Sequence, residues 1–337
     1  MKAKYLLFIA LCGVLQTYSQ EISGVIFDSS TNQPIEGASV YFDNTTVGTI
    51  SNEQGLFSVK KPAAVSSPLV ISFLGYKEQV FSDYSADRKL SVRLVEDINA
   101  LNEVFLVNSD SWAREKKMKY FKAHFLGTTS NGLSCKILNE DVISLRFLET
   151  ENKLVASASA PLVIINENLN YQIRYDLQDF ELEFDYYEEV DQYFPSSFYY
   201  AGTLFYQSLS ENRRIIKRRL KTYNGSVLHF MRSVIDGKLV DNNFELIYNG
   251  AVVSPENVVF VTDTEDESVF KVRLLTPLVV TYDKDWEKKS AINSDKTYFF
   301  LDENGNHSPE NSLMFSGYFS SRRIGDALPL DYQPTTD

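Results

Sequence analysis

Short runs of alternating apolar and polar residues make up most of the chain from Glu21 onward. Up to about Glu96 these runs have the two-residue period of half-buried strands, and clusters of Ser, Asn, Pro and Gly separate them. This segment shows no helical period. It therefore predicts about seven strands, which form two small antiparallel sheets that face each other. In the stretch "SNEQGLFSV", Gly55 is expected to form a turn and Phe57 to enter the core.

A helix is predicted where this alternation stops, in "WAREKKMKYFKAHFL", residues 112–126. Asp110 or Ser111 is expected to cap its first turn, and Gly127 is expected to end it. Lysines occupy one side of the predicted helix. The other side is an apolar stripe, which predicts core packing. The stripe consists of Trp112, Met118, Phe121 and Phe125.

Beyond this helix the pattern returns to strands, with one further helical segment. Four runs predict a long antiparallel meander: "VISLRFL", "KLVASASAPLVII", "YQIRYDL" and "FELEFDYY". The run "FYYAGTLFYQSL" predicts another strand. The segment "SENRRIIKRRLKTYNGSVLHFMRSVIDGK" predicts a helix that breaks near Asn224-Gly225. Strands resume after it in "FELIY", "VFKVRLL", "LVVTYD" and "KTYFFLD".

The first twenty residues have the pattern of a secretory signal peptide. Lys2 and Lys4 precede an apolar run that is too short to span a bilayer, and small or polar residues follow it. Leu11 before Cys12 argues against a lipid anchor, because a lipobox needs a small residue at that position. We therefore expect residues 1–20 to be removed and the protein to be exported.

The chain is acidic, with 45 Asp and Glu residues against 33 Lys and Arg residues and a formal net charge of −12. Removal of residues 1–20 takes away two lysines and makes the charge −14. This charge opposes binding to phosphate backbones, so nucleic acid is excluded as a partner. No later apolar run approaches the roughly 18 residues of a membrane helix. Cys135 is left without a disulfide partner, and its apolar neighbours predict an inert thiol.

A set of spaced glycine, proline and apolar positions characterises the N-terminal strands: Ile22, Gly24, Val25, Asp28, Pro34, Ile35, Gly37, Ala38, Val40, Gly48, Thr49, Gly55, Phe57, Gly75 and Tyr76. In this order they resemble the carboxypeptidase-regulatory-like domain, a transthyretin-like β-sandwich. The segment is also similar to the N-terminal extensions of TonB-linked outer-membrane receptors of Bacteroidota. The resemblance implies an interaction or support module that carries no catalytic machinery.

The second half resembles a group of exported Bacteroidota proteins of unknown function. The resemblance rests on "FLGTTSNGLSCKILN", "APLVIINENLNYQIRYDLQDFE", "RRLKTYNGSVLHFMRS" and "LPLDYQP". Arg218 departs from the group, in which an Asn often precedes the Arg matched by Arg219. The expected plan is a signal peptide (1–20), the β-sandwich (21–96), a linker (97–111) and an α+β domain with a largely antiparallel sheet (112–334). The predicted fold class is mainly β with some α.

Several catalytic and metal-binding patterns are incomplete. His307 and Glu310 have the His-x-x-Glu spacing of a zinc carboxypeptidase, but no histidine follows them and they lie in a turn cluster. Ser226 and His229 could touch on a helix, yet Ser226 is better interpreted as a helix cap. The acidic stretches 262–268 and 302–306 lack the residue order of an EF-hand, so turns are favoured over calcium sites. No catalytic residue, cofactor or metal ligand is predicted.

The basic run "RRIIKRRLK", residues 213–221, stands out in this acidic chain. We favour internal pairing with the acidic segment Glu181–Gln192. A solvated helix face and a docking site for an anionic partner are the alternatives. The segment that follows is the predicted interaction site. Its candidate residues are Arg219, Tyr223, Ser226, His229, Phe230 and Arg232.

The predicted function is a non-enzymatic, exported binding or support protein of the bacterial cell envelope. It would act through its β-sandwich, in the periplasm or at the periphery of the outer membrane, on an envelope protein or a glycan. One alternative is a glycan-binding module, because Tyr and Phe on sheet faces can stack on sugars. A hydrolase with an unfamiliar site is a second alternative. It would require Ser226, His229 and an acidic residue to converge in one pocket.

Overall fold

The computed structural model describes residues 20–62, 66–84, 88–97 and 110–335. The predicted signal peptide, apart from Gln20, lies outside the described residues. So do most of the predicted linker and the expected strand "LNEVFLV" within it. Across the described ranges, no helix has both the length and the apolar character needed to cross a bilayer.

Seven strands form the N-terminal β-sandwich, as the alternation predicts. They are β1 Glu21–Asp28, β2 Ser39–Phe42, β3 Gly48–Ile50, β4 Leu56–Lys60, β5 Leu69–Ser72, β6 Gln79–Phe81 and β7 Leu90–Leu94. One sheet has the order β4-β1-β7, and the other has the order β3-β2-β5-β6. The expectation of two antiparallel sheets is wrong for one pair, since β1 and β7 are parallel. Alternate residues of the facing strands, such as Ile22, Ile26 and Val40, are fully buried between the two sheets.

The turn before β4 uses its polar groups internally. The side-chain oxygen of Asn52 accepts hydrogen bonds from the backbone N–H groups of Gln54 and Leu56. Gly55 has a φ of 71°, and a Cβ there would lie 2.4 Å from the Ile26 carbonyl oxygen. Only glycine therefore fits this turn without strain. Phe57 follows it into the core, as predicted.

The second domain contains three sheets. The first comprises β8 Cys135–Ile137, β9 Ile143–Leu148, β10 Lys153–Ala158, β11 Leu162–Asn166, β12 Tyr171–Tyr187 and β13 Gln192–Ser208. The second comprises β14 Phe244–Tyr248, β15 Ala251–Val253, β18 Leu278–Tyr282, β19 Asp285–Asn293 and β22 Met314–Gly317. The third comprises β16 Val259–Asp263, β17 Val269–Leu274, β20 Phe299–Asp302 and β21 His307–Ser308. All of these pairings are antiparallel, so the predicted fold class is confirmed.

The first of these sheets is not the simple meander that the sequence predicts. The runs "YQIRYDL" and "FELEFDYY" are one strand, β12, whose start pairs with β11 and whose end pairs with β10. A bulge lies between Leu177 and Asp179. Leu177 and Phe180 are both buried across it. The extra residue resets the alternation, so the apolar side chains stay on one face and a 17-residue strand can continue.

The predicted first helix is present, but its capping differs from the expectation. The helices are α1 Arg114–Phe125, α2 Ser130–Leu133, α3 Arg213–Tyr223, α4 Val227–Ile235 and α5 Tyr318–Ser321. Ala113 occupies the cap position of α1, without a side-chain hydrogen bond. Asp110 instead accepts from the Trp112 N–H and pairs with Lys117, which is buried although the other side of the helix was expected to hold the lysines. Gly127 follows the helix with a φ of 97°, as predicted.

The remaining short 3₁₀ turns are Glu140–Val142, Pro255–Asn257, Glu310–Ser312 and Ile324–Asp326. The apolar stripe of α1 packs on the first sheet, where Trp112 stacks on Phe147 with 4.1 Å between ring centroids. A second core forms between α4 and the other two sheets. Since Tyr223 belongs to the first core and Phe230 to the second, the α3–α4 pair joins the two.

Candidate functional site

The six predicted interaction residues lie at this α3–α4 junction. Arg219, Tyr223, His229 and Phe230 are buried, whereas Ser226 and Arg232 are partly exposed. Their polar side chains form hydrogen bonds within the fold. Binding of a partner at these residues stays a prediction.

Arg219 is buried, and its guanidinium holds the loop that precedes β12. It donates to the carbonyl oxygens of Leu169 at 2.8 Å and Asn170 at 3.1 Å, and to the Ser208 hydroxyl at 2.9 Å. It also stacks over the Tyr171 ring, 3.7 Å from its centroid. These contacts fix the base of the hairpin that β12 and β13 form.

Ser226 and His229 are not arranged as a nucleophile and its base. The Ser226 hydroxyl accepts the backbone N–H of His229 and caps α4, as predicted. The Nδ1 atom of His229 accepts the N–H of Gly225 at 3.1 Å. Burial, with the positive charge of Arg232 nearby, lowers the pKa of His229 to about 4. The imidazole is thus neutral near pH 7, and its hydrogen bond to Gly225 stabilises the turn between the two helices.

Arg232 ties the C-terminal segment to α4. Its guanidinium donates to three carbonyl oxygens, those of Asn304, Leu330 and Tyr332, at 2.8–2.9 Å. Leu330 and Tyr332 belong to the stretch "LPLDYQP", so these contacts hold this stretch against α4.

The favoured internal pairing of the basic run is wrong. Glu181 and Glu183 pair with Lys153 on the neighbouring strand, because β10 runs beside this part of β12. Arg219 of this run stacks on Tyr171 at the base of β12, whereas Glu181–Gln192 begins ten residues further along that strand. Most of the basic side chains lie on the solvent side of α3, which agrees with the solvated-face alternative. The exposed members are Arg213, Arg214, Lys217 and Lys221.

The acidic loops use their carboxylates as turn caps. Asp302 is buried and accepts backbone N–H groups from Asn304, Asn306 and Ser66. Asp266 accepts the N–H of Ser268 at 2.9 Å. The part of the chain that the structure describes contains no group of three or more His, Cys, Asp or Glu residues placed to hold a metal ion.

His307 lies in the short strand β21, with its ring edge toward Phe315 at 6.0 Å. Cys135 is partly exposed at the start of β8. Its Sγ donates to the Asn131 carbonyl oxygen, and burial raises the pKa of the thiol to about 12. The thiol is therefore protonated at neutral pH and a poor nucleophile, as the sequence indicated.

A row of exposed aromatic side chains lies on the outer face of the β12–β13 hairpin. Tyr187, Phe194 and Tyr199 are 52%, 47% and 57% exposed. Their cross-strand partners are Gln192, Asp185 and Glu181, so all six side chains share one face. The Tyr187 and Phe194 rings meet edge to face at 5.4 Å. The partners of Phe194 and Tyr199 on β12 are Asp185 and Glu181, which are four residues apart. This spacing places Tyr199 about 13 Å from Phe194 along the strands.

Alternation alone could not reveal this face. Residues on the inner face of the hairpin, including Phe184 and Phe198, pack on the core together with Trp112. Two irregularities, at 177/179 and 183/184, change which residues point outward. The signal in the sequence is the adjacency of aromatic residues, as in Tyr186-Tyr187, Tyr193-Phe194 and Phe198-Tyr199, because neighbouring residues of a strand point to opposite faces.

The β-sandwich is attached to the base of this hairpin. The backbone N–H of Asn44 donates to the Leu204 carbonyl oxygen at 2.8 Å, and the N–H of Tyr206 donates to Thr45 at 2.9 Å. The Asp43 carboxylate accepts the Leu204 N–H at 2.7 Å. These bonds extend the sandwich onto β13 as a short parallel bridge between Thr45 and Phe205.

Side chains strengthen the same interface. Arg174 on β12 donates to the hydroxyls of Ser39 at 2.5 Å and Ser72 at 2.9 Å. The Thr203 hydroxyl donates to the Glu78 carboxylate at 2.9 Å. Tyr41 is 2% exposed, and its hydroxyl lies 3.1 Å from that of Thr203.

A pair of carboxyl groups faces this interface from both sides. Glu78 of the sandwich shares a hydrogen bond with Asp176 of β12. Burial and then the charge of Asp176 raise the pKa of Glu78 to about 7, while the Thr203 hydroxyl acts in the opposite direction. Burial also raises the pKa of Asp176. A proton is thus held between the sandwich and the hairpin near neutral pH.

Comparison with known proteins identifies the N-terminal domain. Residues 22–106 match the family model described as the CarboxypepD_reg-like domain. The TonB-dependent receptor SusC of Bacteroides thetaiotaomicron is 30% identical over 95 residues, which are 28% of this chain and 9% of the receptor. The chain therefore spans less than a tenth of this curated relative. The predicted resemblance of the N-terminal domain is confirmed.

One similar solved structure is a type II cohesin–X-dockerin complex from Acetivibrio cellulolyticus. The match has 26% sequence identity and covers 23% of this chain and 56% of the other chain. Its TM-score is 0.19, which is too low to carry an argument about the fold of this chain.

Proposed function

We propose that the chain is an exported, non-enzymatic binding protein of the bacterial cell envelope, and that the outer face of the β12–β13 hairpin is its docking surface. The observation that carries the proposal is the row formed by Tyr187, Phe194 and Tyr199. Exposed aromatic side chains that share one face and are surrounded by polar residues are typical of interaction sites.

The CarboxypepD_reg-like domain would act as a rigid support for this surface. Its backbone and side-chain bonds to β12 and β13 orient the hairpin relative to the sandwich. The N-terminal signal-peptide pattern and the similarity to an outer-membrane receptor of Bacteroides support export and a place near the outer membrane. The proposed partner is another envelope protein.

The free edge of β13 also favours a protein partner. In the described part of the chain, β12 is the strand that pairs with β13, and the bridge to Thr45 occurs only near its base. The outer half of β13 therefore presents unpaired backbone groups beside the aromatic row. An extended segment of a partner could add to this edge as a strand.

A glycan is the second candidate ligand. Tyr187 and Tyr199 provide faces on which sugar rings can stack. Between them lie Ser197, Glu183 and Lys153, which are bonded to one another and can also bond sugar hydroxyls. Aromatic platforms with polar groups between them fit a short oligosaccharide as well as they fit a polypeptide.

The test places a photo-crosslinking amino acid at Tyr199 of the mature chain and exposes it to envelope fractions. A defined protein adduct at Tyr199 supports the proposal. The matched control site is Trp286, an exposed aromatic residue on β19 that is 65% exposed. Equal adducts at both sites would contradict the proposal.

A glycan array with the unmodified chain and with Tyr187→Ala/Tyr199→Ala tests the second candidate. Binding of one glycan class that is lost in the double variant, and retained in Trp286→Ala, would assign the surface to glycans. If neither array nor crosslinking depends on the hairpin residues, the docking surface lies elsewhere.

A further inference from the structure

A cavity of about 250 Å³ lies at the N-terminal end of α4. The turn 305–307 and the segment 319–328 form its other walls. Much of the lining is apolar, and includes Val227, Leu228 and Phe319. We refer to it as the α4 cavity. Its lining includes Ser226, at the edge of the predicted interaction segment, and Tyr200 of β13.

Two successive arginines line the α4 cavity, and their surroundings differ. Arg322 is neutralised and fixed by the protein. Its guanidinium donates to the Tyr318 hydroxyl at 3.0 Å and to the Thr222 carbonyl oxygen at 2.6 Å. It also lies 3.9 Å from the carboxylate of Asp326.

Arg323 has no such partner. Its guanidinium stacks over the Phe198 ring, 3.5 Å from the ring centroid, and is partly buried. Among the residues that the structure describes, it forms no hydrogen bond and has no carboxylate within 4.0 Å. A guanidinium stays charged in proteins. Arg323 is therefore a partly buried cation that is not paired with a carboxylate among the described residues.

The nearby carboxylate is already used. Asp326 accepts hydrogen bonds from the Thr129 hydroxyl at 2.7 Å and from the Asn131 amide at 2.9 Å, in addition to its contact with Arg322. It therefore does not compensate Arg323. The cavity keeps a net positive charge within a chain whose overall charge is −12.

The start of α4 adds to this positive potential. α4 has nine residues, and the Ser226 hydroxyl accepts the N–H of His229. The first N–H groups of a helix have no intrahelical acceptor, and those of Val227 and Leu228 belong to residues in the cavity wall. The helix dipole places its positive end in the same wall.

We infer that the α4 cavity binds a small organic anion through Arg323. The guanidinium fork matches the two oxygens of a carboxylate or phosphate group. The apolar walls match a carbon skeleton better than a bare inorganic ion. The volume suits a molecule of about monosaccharide size, such as a sugar acid or a sugar phosphate. A neutral sugar of the same size leaves the charge of Arg323 unpaired.

Calorimetric titration of the full mature chain tests this inference, with glucuronate, glucose 6-phosphate and glucose as probes. At least one anionic sugar is expected to bind, and glucose is expected not to bind. Preference for glucuronate identifies a carboxylate ligand, and preference for glucose 6-phosphate identifies a phosphate ligand. Arg323→Gln is expected to weaken binding at least about tenfold, since a hydrogen-bonded charge is lost.

The matched control is Arg273→Gln. Arg273 is exposed and also stacks on a phenylalanine, with 4.3 Å to the centroid of Phe260, but it lies outside the cavity. Its replacement is expected to change the affinity less than about twofold. A second control, Lys217→Gln/Lys221→Gln, removes two charges from the exposed face of α3.

A further variant keeps the test decisive if Arg323→Gln fails to fold. Ala327→Asp retains the arginine and introduces a carboxylate into the cavity wall. It is expected to abolish anion binding by pairing with Arg323. The inference is overturned if glucose binds as well as the anions, or if no probe binds. It is also overturned if the α3 double variant, and not the cavity variants, removes binding.

Discussion

Arg219 is a charged residue whose role is set by burial. It is 3% exposed, and its guanidinium bonds two backbone carbonyl oxygens in the loop before β12. The one carboxylate near it, on Glu211, lies at 3.4 Å and is largely exposed. The arginine thus replaces missing backbone donors in an irregular loop. Arg218 also donates to this loop, at 3.4 Å to the Asn168 carbonyl oxygen, whereas Lys217 and Lys221 are exposed.

We predict that Arg219→Met lowers the free energy of unfolding by about 2–4 kcal/mol, because the bonds of its buried guanidinium to the Leu169 and Asn170 carbonyl oxygens and to the Ser208 hydroxyl are lost. Urea denaturation of the mature chain measures this. Lys217→Met, on the exposed side of the same helix, should change the free energy by less than about 0.5 kcal/mol. Equal effects of the two substitutions would show that Arg219 has no special role in the loop.

At the scale of elements, the break between α3 and α4 decides how the two cores of the second domain meet. Gly225 has a φ of 74°, and a Cβ there would lie 2.6 Å from the ring of Tyr282. That ring cannot move freely, because it packs against Phe244 at 5.1 Å and His229 at 5.9 Å. Glycine is therefore needed for the backbone angle and for the close approach of β18.

We expect Gly225→Ala to be more destabilising than Gly237→Ala by about 1–3 kcal/mol. Gly237 follows α4 with a φ of 64°, but no atom lies within 4 Å of the place its Cβ would take. The alanine at 237 suffers only the unfavourable backbone angle, whereas the alanine at 225 also overlaps the tyrosine ring. Thermal unfolding of both variants measures the difference. A similar loss at both positions would contradict the overlap.

For the whole molecule, the central feature is the contact between the β-sandwich and the second domain. Backbone hydrogen bonds, an arginine with two serine hydroxyls, and the carboxyl groups of Glu78 and Asp176 all lie in it. The predicted linker, 97–111, is therefore not needed as the sole connection between the two parts. The orientation of the hairpin depends on this contact, and so does the proposed docking surface.

The titration of Glu78 makes this contact depend on pH. The pKa of Glu78 is about 7 in the folded protein against 4.5 for a free glutamate, so the folded state holds the proton more tightly. Its contribution to stability is full below pH 4.5 and is lost as the pH rises through about 7. The groups that face Glu78 are Tyr41, Asp43, Asp176 and Thr203, with Arg174 beside them.

We predict that Glu78→Gln, which keeps the group neutral at all pH values, is more stable than the natural chain at pH 8. The difference should be of order 1–2 kcal/mol after allowance for solvent screening, and it should be much smaller at pH 5, close to the pKa of a free glutamate. Chemical denaturation at both pH values measures it. The exposed Glu256→Gln should show no such dependence. A constant difference between pH 5 and pH 8 would contradict a shared proton.

Much of the fold follows from local patterns, and the candidate site does not. The seven strands of the sandwich, the α1 stripe and the break at Gly225 are all short-range features, so the sequence predicts them. The pairing of the basic run was predicted wrongly because the competing partner, Lys153, comes from a strand that only the sheet order brings beside Glu181.

By itself, the sequence determined the mainly β fold, the CarboxypepD_reg-like domain and several turns, such as those at Gly55, Gly127 and Gly225. Each of these depends on residues close together along the chain. The tertiary structure alone decided which aromatic residues face solvent, because two irregularities in the hairpin change the alternation. It also decided that Arg322 is paired and Arg323 is not. That difference arises from residues that folding brings together. In the sequence, Arg322 and Arg323 are adjacent and identical, so the pattern there does not distinguish them.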